Sequence, residues 1–164
     1  MQSDSYCIDS SSLIKLKQDY PRKTFPPVWD RIEGLIEEGR LFAPLEVFKE
    51  IEKDDVLGPW CKKRKQKLFR ALDSTQWAVA KQIADKFPQL AKSGKFGPAA
   101  DPFVVALAKI ETEKSGSLFP GKNKCLVVTE EGGGPQQIPA ACKASGVQTI
   151  TLVELFANEG WVFR

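Results

Sequence analysis

The 164-residue chain carries 42% apolar and 27% charged residues, the balance of an ordinary globular protein, and is long enough to bury a core without covalent staples. Its 24 basic and 21 acidic side chains leave a net charge of +3, too small to signal nucleic-acid binding by itself. Histidine is absent, which excludes Ser-His-Asp and Cys-His catalysis, His-ligated zinc and an imidazole base, so any chemistry must run on carboxylates, hydroxyls, lysines or a hard metal ion.

No apolar run approaches the roughly 20 residues that span a bilayer. The N-terminal Met-Gln-Ser-Asp-Ser lacks the basic and apolar regions of a signal peptide, so the expectation is a cytoplasmic protein with no membrane partner. Cys7, Cys61, Cys125 and Cys142 stand far apart with no C-x-x-C pair and read as buried free thiols. No repeat or linker divides residues 1–164, which read as one domain.

In chain order, a β-favouring run from Ser5 to Ile8 ends in Asp9, and three serines lead into a helix over residues 11–17. Asp9 is then either a helix N-cap or an acid at the carboxyl end of a strand, where open α/β sheets bind ligands. Trp29, Ile32, Leu35 and Ile36 recur at helical spacing within residues 28–38, and Gly39 closes that helix. Residues 40–43 read as a second strand. Pro44 opens a helix with Val47, Phe48 and Ile51 inward and with Glu46 and Glu50 one turn apart on one side.

A helix is expected from Trp60 to Leu72. On it Lys63, Lys67 and Arg70 share a face that either follows an RNA backbone or is simply solvated. Residues 74–91 form the next helix, ended or bent at Pro88. Trp60 and Trp77 are candidates to stack bases or to pack in the core. Asp101-Pro102 opens an apolar helix, with Asp101 suited to cap it. Cys125 to Val128 is a strand running into Thr129-Glu130-Glu131, and Lys122, just before it, is a candidate phosphate contact. Helix 138–144, strand 147–152 and helix 153–158 complete the chain.

Short buried strands alternating with helices predict an α/β fold with a mostly parallel sheet covered on both faces. All strand ends then point one way, and Asp9, Glu46 or Glu50, Asp101 and Glu130 or Glu131 converge on one edge. Crowded carboxylates repel unless a cation neutralises them, and the hard ions that prefer oxygen are Mg²⁺ and Mn²⁺. Such a centre activates water and clamps a phosphodiester without histidine.

Four segments carry a resemblance: the strand ending in Asp9-Ser-Ser-Ser-Leu-Ile14, Ala43-Pro-Leu-Glu-Val-Phe-Lys-Glu-Ile51, Ala100-Asp-Pro-Phe-Val-Val-Ala-Leu-Ala108 and Leu126-Val-Val-Thr-Glu-Glu131. In order, they resemble the four acidic motifs of PIN-domain ribonucleases, in particular the bacterial and archaeal PIN-like toxins of toxin–antitoxin modules. The resemblance runs from Tyr6 to about Leu155. It implies a PIN-like three-layer sandwich with a central parallel sheet of four or five strands. It also implies Mg²⁺- or Mn²⁺-dependent RNA hydrolysis at Asp9, Glu50, Asp101 and Glu131, with Glu130 as the alternative fourth acid and Ser11 and Thr129 as supporting hydroxyls. Its implied partners are an RNA substrate, a cognate antitoxin and a second copy of the chain. The fourth position departs from the family's usual Asp. That departure favours the competing class, a PIN-like binding module without turnover. A third class, an Mg²⁺-dependent phosphatase with Asp9 as nucleophile, lacks the lysine and hydroxyl arrangement that a phosphorylated Asp needs.

Overall fold

The computed structural model describes residues 3–92, 99–116 and 124–164, with the side chains of Ser115 and Gly116 excepted. The sequence expectation of an α/β sandwich holds. Five strands form one parallel sheet: β1 (Ser5–Ile8), β2 (Leu41–Pro44), β3 (Phe69–Arg70), β4 (Cys125–Val128) and β5 (Thr149–Ile150), in the order β3-β2-β1-β4-β5. β1 is central and pairs with both β2 and β4. Every residue of β2 and β4 is buried, as expected of strands covered on both faces.

Between the strands run α1 (Ser10–Asp19), α2 (Pro26–Glu37), α3 (Leu45–Ile51), α4 (Leu57–Lys63), α5 (Lys65–Leu68), α6 (Ser74–Lys86), α7 (Asp101–Gly116), α8 (Ile138–Ala144) and, after β5, α9 (Leu152–Asn158). α7 packs on β1, β2 and β4 and against α6 and α8, whereas α1 packs on α3, α4 and α9. Phe103 to Ala108 are all buried, so this stretch of α7 is apolar all round rather than amphipathic. Leu107 alone, almost wholly buried, contributes about 1.5–3 kcal/mol. One contiguous hydrophobic core takes in residues from β1 to β4, and Ile150 of β5 packs against it. All four cysteines are free and buried within it.

The expected helix from Trp60 to Leu72 is corrected. α4 ends at Lys63, Arg64 leaves helical geometry (φ −110°, ψ 13°), α5 makes one turn, and Phe69–Arg70 becomes an edge strand beside Ala43 and Pro44. Burial explains it: Leu68 is completely enclosed and Phe69 packs on Phe48, which a continuous basic helix would not allow. The expected shared basic face disappears with that helix. Lys63 lies on α4 beside Arg22 and Trp60, Lys67 pairs with Glu37, and the Arg70 guanidinium lies 3.7 Å from the Phe42 ring centroid and pairs with Glu111 at 3.2 Å. The expected strand over residues 147–152 shortens to Thr149–Ile150, because Thr151 and Glu154 form a capping box that starts α9. Lys122 lies outside the described residues.

At the opposite end of the sheet, Tyr6 Oη and Arg40 both donate to Glu159, each at 2.5 Å, and Asn158 Nδ2 donates to Tyr6 Oη at 2.7 Å. This network ties β1 and the residue before β2 to the end of α9, leaving the carboxyl edge of the sheet to different chemistry.

Candidate metal centre

The chain leaves β1 and enters α1 at Asp9, with each of three successive serines used differently. Ser10 Oγ donates to Glu50 Oε2 at 3.1 Å, Ser11 Oγ donates to Asp9 Oδ1 at 2.6 Å, and Ser12 donates its backbone N–H to the same oxygen at 3.1 Å. Asp9 is therefore the N-cap of α1 and a site residue at once; the two roles use one carboxylate. Its other oxygen, Oδ2, accepts from Thr129 Oγ1 at 2.8 Å, just past the end of β4. Ser11 Oγ in turn accepts from the Glu130 N–H, and Thr129 Oγ1 accepts from the Glu131 N–H. Hydroxyls from the ends of two adjacent strands thus fix Asp9 while the following backbone fixes the hydroxyls.

The geometry separates the two acids after β4. Glu130 turns away, its Oε1 accepting from the Leu152 N–H at the start of α9. Glu131 turns inward, where one oxygen of Asp9, Asp101 and Glu131 lies within 4.8 Å of the others. Its Oε2 also accepts from the Ile138 N–H, fixing it to the start of α8. Glu130→Ala removes only the α9 contact, so it is expected to lower stability by about 1 kcal/mol. A drop of about 2–4 °C in the melting temperature checks this, with any nuclease activity unchanged.

Asp101 opens α7 as its first helical residue rather than as its cap. The carbonyl of Ala100 accepts the first intrahelical bond, from Val104, and the Ala100 N–H donates to Glu50 Oε1 at 2.8 Å. Glu50 is therefore a brace. One oxygen holds the start of α1 and the other the start of α7, and it stays outside the group of three, although its charge reaches Asp101. Glu46, the other acid of α3, is buried, and its Oε2 has no hydrogen-bond partner among the described residues. Burial pushes its carboxyl up, partly offset by Lys49.

Burial pushes Asp9 up to about 6 even though Ser11, Thr129 and the Ser12 N–H all favour its charged form. Asp101 is pushed up to about 8 by burial first, then by the charges of Glu131, Asp9 and Glu50, and in its protonated form it hydrogen-bonds Glu131. Among the described residues, no lysine or arginine pairs with Asp9, Glu50, Asp101 or Glu131. The carboxylates are thus mutually repelling and short of positive charge, at the point where the strand order reverses between β1 and β4. Such switch points are where open α/β sheets bind ligands.

A family model described as "Domain of unknown function (DUF4411)" matches residues 6–163. The chain belongs to the DUF4411 family. No curated protein matches it. The match takes in every strand except the first residue of β1, and every acid of the centre. The chemistry of this DUF4411 chain therefore rests on its own side chains.

Oxygen-only donors, several of them anionic, fit a hard divalent cation such as Mg²⁺ or Mn²⁺. Ser11 and Thr129 would then orient a ligating carboxylate, and such supporting hydrogen bonds are worth about 10- to 100-fold in metal affinity. Ser11→Ala and Thr129→Val are each expected to weaken Mn²⁺ binding by about that factor, as read by calorimetric titration.

Proposed function

We propose that this protein is a metal-dependent ribonuclease. The single observation that carries the proposal is the meeting of Asp9, Asp101 and Glu131 within 4.8 Å at the switch point, without a cationic partner among the described residues. Asp9, Asp101 and Glu131 would hold Mg²⁺ or Mn²⁺, with Glu50 bracing the two helix starts that present Asp9 and Asp101. The bound cation supplies water activation and charge neutralisation at a phosphodiester. Ser11 and Thr129 keep Asp9 oriented, and Asp101, which burial and the neighbouring acids push up to about 8, would give up its proton to a bound cation.

RNA as the substrate is supported by the ordered sequence resemblance to PIN-domain ribonucleases. The same resemblance implies a toxin held in check by a cognate antitoxin, and a homodimer; the expectation of a cytoplasmic location rests on the N-terminal sequence, which lacks the pattern of a signal peptide. Co-purification of the tagged protein with the product of a neighbouring reading frame tests the antitoxin, and its absence from repeated pull-downs contradicts it. Among the described residues no helix is long and apolar enough to cross a membrane.

The nuclease is tested by incubating purified protein with a pool of labelled RNAs in Mg²⁺, Mn²⁺ or EDTA and identifying the new ends. The expected result is metal-dependent cutting that leaves a linear phosphate, because water and not the neighbouring ribose hydroxyl attacks phosphorus. Uncut RNA in every metal buffer contradicts the nuclease, and cyclic phosphate ends contradict the metal-assisted route.

A further inference from the structure

Of the two tryptophans singled out in the sequence, Trp60 is a core residue, packed edge-on against Trp29. Trp77 is 51% exposed on α6, its indole lying edge-on to Phe103 of α7 at 4.7 Å and 76°. The two rings flank a cavity of about 520 Å³ between α6 and α7, walled by Ala80, Ala84, Ala99 and Pro102. That volume is in the range of small-molecule sites. Ala80 and Ala84 share the α6 face of Trp77, so small apolar side chains leave an apolar slot beside the indole. Lys81, one helical turn beyond Trp77, also lines it and forms no ion pair among the described residues.

We propose that this slot is a nucleobase subsite in which Trp77 stacks on a base of the single-stranded RNA whose phosphodiester lies at Asp9, Asp101 and Glu131. The assignment rests on the nuclease proposed above. Ala99, Pro102 and Phe103 surround Asp101 in sequence, so the slot and the acids share one helix terminus. Asp101 and Phe103 project about 200° apart, so the slot lies on the other side of the α7 terminus, and a strand joining it to the acids passes around that terminus over more than the roughly 10 Å helix diameter. That is at least about three nucleotides at stacked spacing. A flat ring joined to a phosphate matches an apolar slot with a cation at its rim, whereas an apolar peptide segment would leave Lys81 without an anion. Stacking on an aromatic side chain tolerates any base, so the subsite adds affinity without imposing sequence.

Binding of a fluorescein-labelled single-stranded RNA in Ca²⁺, a hard oxygen-seeking cation that neutralises the carboxylates, and its cleavage in Mn²⁺ are measured for the wild type, Trp77→Ala and Trp77→Phe. An oligonucleotide with abasic positions is run in parallel, and circular dichroism confirms the fold of each variant. Trp77→Ala is expected to lose about 5- to 150-fold in both binding and kcat/KM. Trp77→Phe should keep most of both, and the wild type should bind the abasic RNA as weakly as Trp77→Ala binds the intact one. Wild-type binding and cleavage left intact by Trp77→Ala overturns the subsite while leaving the nuclease standing. Trp77-dependent binding with no cleavage in any metal keeps the subsite and overturns the nuclease. A wild type that binds neither RNA, or binds both equally, overturns the subsite.

Discussion

Asp9→Asn and Asp101→Asn are each expected to reduce RNA cleavage by about 100- to 1000-fold, and yet Asp101→Asn is expected to make the metal-free protein more stable. The two results come from one cause. Asp101 sits against Glu131, Asp9 and Glu50, and burial and those charges together push it up to about 8. Asparagine removes one of the repelling charges and can donate a hydrogen bond to Glu131, but it cannot neutralise a divalent cation. A gain of about 2–6 °C in melting temperature at pH 8.5 in EDTA, beside lost cleavage in Mn²⁺, is the expected pair of readings. A side chain serving stability alone would lose both together.

The pH dependence of stability gives the second large effect. Asp9 rises from 3.8 to about 6 and Asp101 from 3.8 to about 8, so both bind protons more tightly in the folded state than in the unfolded chain. Their contribution to stability is complete below about pH 4 and is lost as pH climbs through 6 and then 8. The metal-free wild type is therefore expected to melt progressively lower from pH 6 to 8.5 relative to Asp101→Asn, whose curve lacks the Asp101 component. Mn²⁺ reverses the trend, because a cation binds the deprotonated carboxylates and displaces their protons. Its stabilisation should grow over the same interval, and thermal melts at four or five pH values with EDTA or Mn²⁺ check both signs. A Mn²⁺ shift that is equal at pH 6 and pH 8.5 would place the ion away from Asp9 and Asp101.

Much of this was legible in the sequence because strand ends in a parallel sheet share one edge. The acids following Ile8 and Val128 and the acid before Pro102 are legible for that reason, whereas the supporting roles of Ser11 and Thr129 come only from the resemblance to PIN-domain ribonucleases. The resemblance puts Glu131 ahead of Glu130, and the structure shows how the two differ: Glu130 is taken by the Leu152 N–H, while Glu131 meets Asp9 and Asp101. Glu50 was found as a residue but not in its bracing role, since its partners are Ser10 and a backbone N–H fifty positions away. Thr151-Leu-Val-Glu154 spells a capping box that could have ended the last strand earlier. The basic run misled because local charge spacing says nothing of Leu68 and Phe69 being drawn into the core and onto the edge of the sheet. That is a tertiary effect overriding a helical pattern.

If the carboxylates meeting between β1 and β4 hold a divalent cation, as proposed, Mn²⁺ titrated calorimetrically into the metal-free wild type at pH 8 binds saturably with proton release, and the folded Asp9→Asn/Asp101→Asn double variant binds none. Equal binding by both proteins, or no binding by the wild type, would contradict the proposed centre.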